Sequence, residues 1–253
     1  MSGIDRVAIV TGGSRGIGRA IALALAAEDC DVVLSYVNDQ DAAAEVVSAI
    51  EARGRRALAV RADLGEQGDA TALVEATLAA FGGVDVLVNN AGVSSNESFI
   101  ADTPPETWVR IIDVNLHGTY HMVRAVTPLM RARGAGHIVN LSSNVTQRMP
   151  ATFGAYTVSK SAVEALTRIL AKEEGPHGIH VNAVAPGPIM TDMLDGLLET
   201  MGEARARAFV ESVPLRRAGQ PEEIAAVVAM LVSATASFIS GEVIYVNGGG
   251  PGG

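Results

Sequence analysis

A glycine-rich turn between an apolar strand and a helix constrains the fold of this chain more than any other segment. Residues 6–11 read RVAIVT, a short β-branched run that predicts a buried strand. The run leads into GGSRGIG at 12–18, and the Ala- and Leu-rich segment 19–28 predicts a helix. Such glycines let the backbone approach a ligand, and a helix N-terminus offers unpaired N–H groups with partial positive charge. The segment predicts a phosphate-binding loop, with an unliganded turn as the alternative.

Six further apolar runs alternate with helix-like segments after this first unit. The predicted strands are 31–36, 56–61, 84–89, 137–142, 179–185 and 242–246. The predicted helices are 40–53, 66–81, 103–133, 155–175 and 221–234. No linker-like segment and no repeat of about 20–50 residues interrupts the alternation. The pattern predicts an α/β fold, a single doubly wound domain spanning 1–253 with a seven-stranded parallel sheet flanked by helices.

Polar residues and glycines follow the predicted strand ends, which meet at one edge of a doubly wound sheet, where ligands bind. The residues concerned are Gly12, Asp63, Asn90, Ser143 and Pro186. Asp63 is placed either to accept a hydrogen bond from an adenine amino group or to cap the next helix. Asn90 either faces a ligand or bonds neighbouring backbone. This clustering predicts a functional cleft.

The segment 189–213 carries an apolar, Met-bearing helical face between the sixth strand and the last long helix. Its apolar residues are Met190, Met193, Leu194, Leu197, Leu198, Met201, Phe209 and Val213. Methionine suits an adaptable apolar pocket. The segment predicts a small helical lid over a substrate site, with an ordinary amphipathic helix pair packed on the body as the alternative.

Tyr156 and Lys160 are i, i+4 neighbours if the segment from residue 154 is helical. An ammonium beside a phenol favours the phenolate, which predicts a lowered pKa for Tyr156. Ser143 is placed to hydrogen-bond the same substrate oxygen. A half-buried tyrosine beside a solvated lysine is the alternative. Asn115, within an apolar helical stretch, either binds a water or makes an interhelical hydrogen bond.

Composition narrows the range of functions. A net charge of -9 and an aromatic content of 4% argue against a nucleic-acid partner. No uncharged apolar run of about 18 residues is present, and no basic region leads into an apolar signal segment, so we expect no membrane contact and a cytoplasmic location. One cysteine, Cys30, fits a reducing compartment. The histidines lack the nearby ligands that a metal site needs, so no metal is predicted.

The end of the second predicted strand bears on the choice of dinucleotide. An acid at this place commonly bonds the ribose 2′-hydroxyl of NAD. Here the place holds Tyr36, and Asp39 lies beyond the strand end. The missing acid, together with Arg15 in the glycine loop, favours a 2′-phosphate and hence NADP(H). The alternative is that Arg15 is merely exposed and that NAD(H) also binds.

With these motifs placed, the chain resembles the short-chain dehydrogenase/reductase family over essentially its whole length. The family motifs occur in family order as TGxxxGxG at 11–18, Asp63-Leu64, NNAG at 89–92, Asn115, Ser143, Tyr156-x-x-x-Lys160 and Pro186-Gly187. Within the family the chain looks most like the 3-oxoacyl-acyl-carrier-protein reductase group and its relatives in aromatic polyketide and sugar metabolism. The resemblance implies a Rossmann-type fold and a homotetramer built on the helices 105–133 and 155–175 and the last strand.

The resemblance also implies a role for each position. Tyr156 donates a proton to a carbonyl as hydride arrives from the nicotinamide, and Lys160 lowers the phenol pKa and bonds the nicotinamide ribose. Ser143 holds the substrate oxygen, and Asn115 fixes a water that relays protons to Lys160. The implied cofactor-binding residues are Gly12, Ser14, Arg15, Gly16, Ile17, Gly18, Tyr36, Asp63, Leu64, Asn90, Ala91, Gly92, Tyr156, Lys160, Pro186, Gly187, Ile189 and Thr191.

Three functions follow from these observations. The favoured one is an NADPH-dependent reductase of a hydrophobic ketone, a 3-oxoacyl thioester or polyketide, because the predicted lid is apolar. A sugar, polyol or secondary-alcohol dehydrogenase uses the same residues in the other direction. A non-catalytic NADP-binding sensor would be expected to lack Tyr156 or Lys160. The substrate is a small molecule or is carrier-bound, and Arg131 and Arg133 either meet an acidic carrier or simply favour a helix C-terminus.

Overall fold

All seven strands in the described part of the chain lie in one parallel sheet. The structure, a computed structural model, describes residues 6–94 and 98–250. The strands are β1 (Arg6–Val10), β2 (Cys30–Tyr36), β3 (Ala57–Arg61), β4 (Val86–Asn89), β5 (Gly136–Leu141), β6 (Ile179–Pro186) and β7 (Val243–Val246). They lie in the order β3-β2-β1-β4-β5-β6-β7. The chain reverses direction across the sheet between β1 and β4, and a doubly wound sheet binds its ligand at this crevice. The predicted fold class is confirmed.

Helices cover both faces of the sheet. They are α1 (Gly16–Ala27), α2 (Gln40–Glu51), α3 (Gln67–Phe81), α4 (Pro105–Ile112), α5 (Gly118–Arg133), α6 (Val145–Arg148), α7 (Gly154–Glu174), α8 (Asp192–Met201), α9 (Glu203–Glu211) and α10 (Pro221–Leu231). Helices α1, α2 and α10 pack on one face, and α3, α5 and α7 on the other. The predicted helices are present with their ends shifted by a few residues, except that the segment 103–133 forms two helices, α4 and α5.

The inner strands supply apolar side chains to both layers. In β1, Ala8 and Val10 join the core under α1 and α10, whereas Ile9 joins the core under α3 and α5. In β2, Leu34 and Val33 divide in the same way. Successive side chains of a strand point to opposite faces, so a continuous apolar run packs on both sides. The edge strands β3 and β7 are only half-buried because each has one neighbouring strand.

The long predicted helix 103–133 is not regular. It begins at Pro105, and a π-helical turn at Asp113–His117 separates α4 from α5. π-helical turns occur frequently at functional sites. Asn115 lies within this turn, and its amide bonds the backbone of Val93 on the loop after β4. That long-range contact has no counterpart in the local helical pattern, which explains why the pattern predicted one continuous helix.

The described residues offer neither a membrane span nor a metal cluster. No helix within 6–94 or 98–250 combines the length and hydropathy needed to cross a bilayer. The same residues contain no group of three or more His, Cys, Asp or Glu side chains suited to hold a metal ion. Cys30 is buried, and burial raises the pKa of its thiol, which keeps it protonated and unreactive.

A histidine pair lies at the start of β5 and β6, on the edge of the sheet opposite the glycine loop. His137 and His180 are register partners, with ring centroids 5.2 Å apart and planes 17° from parallel. His137 Nδ1 is buried and has no hydrogen-bond partner among the described residues. Burial lowers the pKa of His137 from its ordinary 6.5 to about 4, and the nearby His180 and Arg6 act in the same direction. The fold therefore holds this imidazole neutral.

We expect this histidine to make the protein less stable in mild acid. Below pH 6.5 the unfolded chain takes up a proton that folded His137 does not accept until about pH 4. Stability is therefore lost as pH falls between these values, by about 2 kcal/mol at pH 5. Urea unfolding at pH 7 and pH 5 should show that His137→Gln loses less stability than the wild type. His177→Gln, at an exposed position, is the control. Equal losses of stability between pH 7 and pH 5 in the wild type and both variants would contradict the assignment.

Candidate active site

The glycine loop joins β1 to α1 at the crevice. Gly12 and Gly16 have φ values of 63° and 53°, which other residues rarely adopt. A Cβ on Gly18 would lie only 2.2 Å from the carbonyl oxygen of Gly12, so α1 packs directly on the loop backbone. Ser14 is buried, whereas Arg15 is exposed. Since the N-terminus of α1 begins at Gly16, its free N–H groups fit a phosphate at this place.

The loop after β4 holds the glycine loop in place. Asn90 Nδ2 donates to the carbonyl oxygens of Thr11, at 2.9 Å, and Gly12, at 3.0 Å. Thr11 Oγ1 accepts from the backbone N–H groups of Asn90 and Ala91 at 2.9 and 3.0 Å. Ser35 Oγ accepts from the Gly12 N–H at 3.0 Å. The backbone-bonding alternative for the Asn90 side chain is therefore observed, and it shapes the phosphate-binding loop.

Two of these hydroxyl groups were not assigned a role from the sequence. Thr11 directly precedes the first glycine, and a hydroxyl at that position is a usable sequence signal. Ser35 offers no such signal, because it reaches Gly12 only when β2 pairs with β1.

Three of the predicted catalytic side chains converge beside α7. Tyr156 and Lys160 are one helical turn apart, with Lys160 Nζ 5.8 Å from the tyrosine ring centroid. Lys160 is buried, and its Nζ donates to the Leu141 carbonyl oxygen at 2.7 Å. Ser143 follows β5, and its hydroxyl lies close enough to the Tyr156 phenol to act on the phenol pKa. The arrangement places a proton donor, a hydrogen-bonding hydroxyl and an amine together at the carboxyl end of the sheet.

Burial dominates the pKa values of this pair. Removal of the phenol from water raises the pKa of Tyr156, although the hydrogen bond with Ser143 acts to lower it. Burial lowers the pKa of Lys160 to about 8. The lowered phenol pKa predicted from the sequence is therefore wrong for this arrangement. The lysine faces a neutral carbonyl rather than the phenol oxygen, and its own charge is weakened by the same desolvation.

Asn115 binds the loop after β4 to the catalytic helix. Its Oδ1 accepts from the Val93 N–H at 2.8 Å, and its Nδ2 donates to the Val93 carbonyl at 2.9 Å and to Ser159 Oγ at 3.1 Å. A Cβ on Gly92 would lie 3.3 Å from Asn115 Oδ1 and 3.4 Å from Lys160 Nζ. The interhelical hydrogen bond raised from the sequence is thus observed. The water relay implied by the family remains a prediction.

A buried carboxylate lies behind the catalytic serine. Glu164 Oε1 accepts from Ser142 Oγ at 2.8 Å and lies 2.7 Å from Thr146 Oγ1 and 3.1 Å from the Tyr245 hydroxyl. Thr146 Oγ1 is also 2.8 Å from the Ser143 carbonyl oxygen. These contacts clamp the segment that carries Ser143 between α7 and β7. Sequence reasoning missed Glu164, because its partners come from distant segments.

The Asp63-Leu64 turn lies at the end of β3. Asp63 Oδ2 accepts from Arg110 Nη2 at 2.8 Å, and Oδ1 accepts from the Gly65 N–H at 3.1 Å. Burial acts to raise the pKa of this carboxyl, but the bonds from Arg110 and Gly65 outweigh it and lower the pKa. The carboxylate does not cap α3, so that alternative is not observed. Leu64 is buried, and a Cβ on Gly118 would lie 2.9 Å from its carbonyl oxygen.

The segment predicted as a lid forms two helices, α8 and α9. A Cβ on Gly16 would lie 3.3 Å from Thr191 Cγ2, and Arg15 Nη1 forms a 3.1 Å ion pair with Asp192 Oδ2. At the other end, the Arg148 guanidinium lies 5.5 Å from the Phe209 ring centroid. The segment therefore contacts both the glycine loop and the segment after Ser143; its role as a lid remains a prediction.

The Pro186-Gly187 turn links the lid to the sheet. The Pro186 carbonyl accepts from the Asn144 N–H at 2.8 Å, and the Gly187 N–H donates to the Val246 carbonyl at 2.9 Å. Ile189, which follows the turn, is buried. The predicted residues at 186–191 are therefore placed between the Ser143 segment and the glycine loop.

The residues of the crevice fit a dinucleotide. The glycine loop lacks side chains where α1 meets β1, and α1 directs its free N–H groups at the same place. The partly exposed carboxylate of Asp63 follows β3. Tyr36 is half-buried at the end of β2. Asp39 caps α2 by accepting from the Ala42 N–H at 2.9 Å, so it is already engaged.

Comparisons with known proteins agree with this arrangement. A family model described as "Enoyl-(Acyl carrier protein) reductase" matches residues 12–250. A 3-oxoacyl-acyl-carrier-protein reductase FabG of Staphylococcus epidermidis is 38% identical over 246 residues, covering 97% of this chain and 99% of the relative. A short-chain type dehydrogenase/reductase of Picea abies is 41% identical over 251 residues, covering 96% of this chain and 92% of the relative.

Solved structures of related oxidoreductases superimpose closely on this chain. Levodione reductase superimposes with a TM-score of 0.93 at 33% identity and covers 97% of both chains. Acetoin dehydrogenase of Enterobacter cloacae superimposes with a TM-score of 0.87 at 36% identity, covering 98% of this chain and 96% of that one. Together with the Rossmann-type sheet, these likenesses show that the chain is an oxidoreductase of the short-chain dehydrogenase/reductase family.

Proposed function

We propose that this protein reduces a hydrophobic ketone to a secondary alcohol with NADPH. The observation that carries the proposal is the convergence of Ser143, Tyr156 and Lys160 beside the glycine loop. The FabG relatives, named as 3-oxoacyl-acyl-carrier-protein reductases, support a 3-oxoacyl thioester or a similar carbonyl as substrate.

Each of the four side chains has a separate role in the proposed reduction. A nicotinamide bound in the crevice supplies the hydride. The Tyr156 hydroxyl delivers the proton to the carbonyl oxygen, and Ser143 hydrogen-bonds the same oxygen as charge develops on it. Lys160, with its pKa lowered to about 8, exchanges a proton close to neutral pH beside the phenol. Asn115 hydrogen-bonds both the 92–93 loop and α7 and so fixes their relative position, which keeps the reacting groups aligned.

Two observations support NADPH over NADH. The end of β2 carries Tyr36 where NAD-binding folds place an acid, and the next carboxylate, Asp39, is occupied in capping α2. Arg15 lies in the glycine loop with its side chain 73% exposed. Its ion pair with Asp192 is equally exposed and therefore weak, so the guanidinium is available to a 2′-phosphate.

Arg15→Ala should raise the KM for NADPH by about tenfold or more and change the KM for NADH by less than about twofold. Only NADPH carries the 2′-phosphate, and a charge-assisted hydrogen bond to phosphate accounts for a loss of this size. Steady-state rates with both cofactors measure the ratio. Arg53→Ala is the matched control, because Arg53 is exposed in the turn after α2. Equal losses for both cofactors would show that Arg15 does not read the 2′-phosphate.

The mouth of the crevice favours an apolar substrate. Phe99, Ile100, Met149, Met190 and Met193 are exposed, and they lie on the segments that follow β4, β5 and β6. Ile100 packs close to Gly154, at the start of the helix that carries the catalytic tyrosine. Exposed apolar side chains around a cleft are typical of binding sites for apolar ligands.

A dehydrogenase of secondary alcohols is the second candidate. The structural likeness to acetoin dehydrogenase and levodione reductase, both named for small oxygenated substrates, favours it. Ser143, Tyr156 and Lys160 serve reduction and oxidation alike.

A substrate panel tests these candidates. NADPH oxidation would be followed with a 3-oxoacyl thioester, acetoin and a cyclic diketone, and NADP⁺ reduction with sugars and polyols. We expect the thioester to give the highest kcat/KM. A higher value for a sugar or polyol would favour the dehydrogenase, and NADPH binding without turnover of any carbonyl would favour a sensor.

The arginines at the end of α5 favour a free thioester over a carrier docked at this surface. Arg131 forms a bidentate pair with the buried Glu174, and Arg133 forms a 2.9 Å ion pair with Asp85. Both guanidinium groups are neutralised within the chain, which leaves less positive charge for an acidic carrier.

A homotetramer is the proposed assembly. Exposed apolar side chains on α4, α5 and α7 support it: Val109, Tyr120, Val158 and Ile169. The strand β7 is a half-buried sheet edge, which an assembly can cover. Light scattering coupled to size exclusion measures the mass, and a monomer would overturn the proposal.

A further inference from the structure

Arg110 lies outside the catalytic group, yet it is bonded to a residue of the crevice. It occupies the last turn of α4, shortly before the π-helical turn with Asn115. Its Nη2 donates to Asp63 Oδ2 at 2.8 Å across 47 residues of sequence. The bond joins the helix that carries Asn115 to the turn at the end of β3.

The Asp63 carboxylate is held at both of its oxygens. Oδ1 accepts from the Gly65 N–H at 3.1 Å while Oδ2 accepts from Arg110. A carboxylate oxygen has two lone-pair sites, so these two donors orient the group and leave sites open for a ligand. The side chain of Asp63 remains 28% exposed, which makes it accessible to such a ligand.

The turn is shaped to admit the guanidinium. A Cβ on Gly65 would lie 2.8 Å from Arg110 Nη1, 3.3 Å from Asp63 Oδ1 and 3.4 Å from Val114 Cγ2. Contacts this short force a neighbour to move, so a side chain at position 65 would displace the Arg110–Asp63 pair. The absence of a side chain at Gly65 and the hydrogen bond from Arg110 both favour the same position of the guanidinium beside Asp63.

We infer that Arg110 is a positioning residue that aims the ionised Asp63 carboxylate at the exocyclic amino group of the cofactor adenine. The inference deepens the proposed function, because it rests on Asp63 meeting the adenine. It applies to NADPH and NADH alike, since both carry adenine. The amino group donates a hydrogen bond, which an oriented carboxylate accepts. A hypoxanthine ring carries an oxygen at that position, and this oxygen would face the carboxylate with no proton between them.

The test compares binding of NADPH with that of its hypoxanthine analogue, without any carbonyl substrate present. Wild-type protein should prefer NADPH. Arg110→Met should weaken NADPH binding by about tenfold, the size expected for a hydrogen bond to a charged group, and the analogue by less than about twofold. Gly65→Ala should act in the same direction, and Arg110→Lys should recover part of the preference. In steady-state assays the KM for NADPH should rise more than kcat falls.

Arg124→Met is the matched control, because Arg124 is an exposed arginine of α5. Its two dissociation constants should equal those of the wild type. The inference is overturned if Arg110→Met weakens both dinucleotides equally or neither, or if the wild type does not distinguish them. Failure of this inference can be told apart from failure of the proposed function. A wild-type protein that binds dinucleotides but reduces no carbonyl would still allow the affinities for NADPH and the hypoxanthine analogue to be compared. Thermal melts of the Met and Lys variants check that both fold.

Discussion

Tyr156→Phe should lower kcat for carbonyl reduction by about 10²- to 10⁴-fold, the range that general acid catalysis contributes. The substitution removes only the phenol hydroxyl, and the ring keeps its place on α7. NADPH affinity should change by less than about threefold, because the glycine loop is held by Asn90 and Thr11 rather than by the tyrosine. Stopped-flow rates give kcat, and NADPH fluorescence gives the dissociation constant.

Tyr120→Phe is the matched control for this experiment. Tyr120 lies on α5, away from Ser143 and Lys160, and its phenylalanine variant keeps the ring that the proposed tetramer would cover, so kcat should stay at the wild-type value. A kcat for Tyr156→Phe within about fivefold of wild type would remove the phenol from the role of proton donor. It would also undermine the proposed reductase as a whole, since no other hydroxyl in the described site is paired with a lysine in this way.

Gly18→Ala should weaken dinucleotide binding by about a hundredfold. The added Cβ would lie 2.2 Å from the Gly12 carbonyl oxygen and 2.5 Å from Asn90 Nδ2. Neither partner can yield cheaply, because one is backbone and the other is bonded to the Thr11 and Gly12 carbonyls. Movement of α1 away from β1 would misalign the N–H groups that meet the phosphates, and the loss of two such bonds accounts for this factor. Equilibrium binding of NADPH provides the measurement.

Gly68→Ala is the control for backbone effects of alanine. No atom lies within 4 Å of a Cβ placed there, and Gly68 is in the first turn of α3. Alanine should leave binding unchanged and stabilise the protein by up to about 1 kcal/mol. Overpacking at Gly18 should instead destabilise by about 1–3 kcal/mol. If Gly18→Ala bound NADPH as tightly as the wild type, the close seating of α1 on the loop would not matter for the cofactor.

The electrostatics of the catalytic pair show where local reasoning failed. The i, i+4 spacing of Tyr156 and Lys160 correctly placed them on one face of α7. The predicted fall in the phenol pKa considered only the positive charge of Lys160 beside the phenol. Burial instead raises the pKa of the phenol and lowers that of the amine, and the amine donates to Leu141. Desolvation depends on everything packed around a group, which a spacing rule does not contain.

By itself, the sequence determined the alternation of strands and helices, the glycine loop, the position of Ser143 after a strand and the i, i+4 spacing of Tyr156 and Lys160. These features are local, because apolar periodicity, glycine spacing and an i, i+4 pair need only a few neighbouring residues. Tertiary structure decided the partners of those residues: Arg110 for Asp63, Val93 and Ser159 for Asn115, and Tyr245 for Glu164. Such pairs join segments tens of residues apart, and packing of the helices against the sheet brings them within hydrogen-bonding distance.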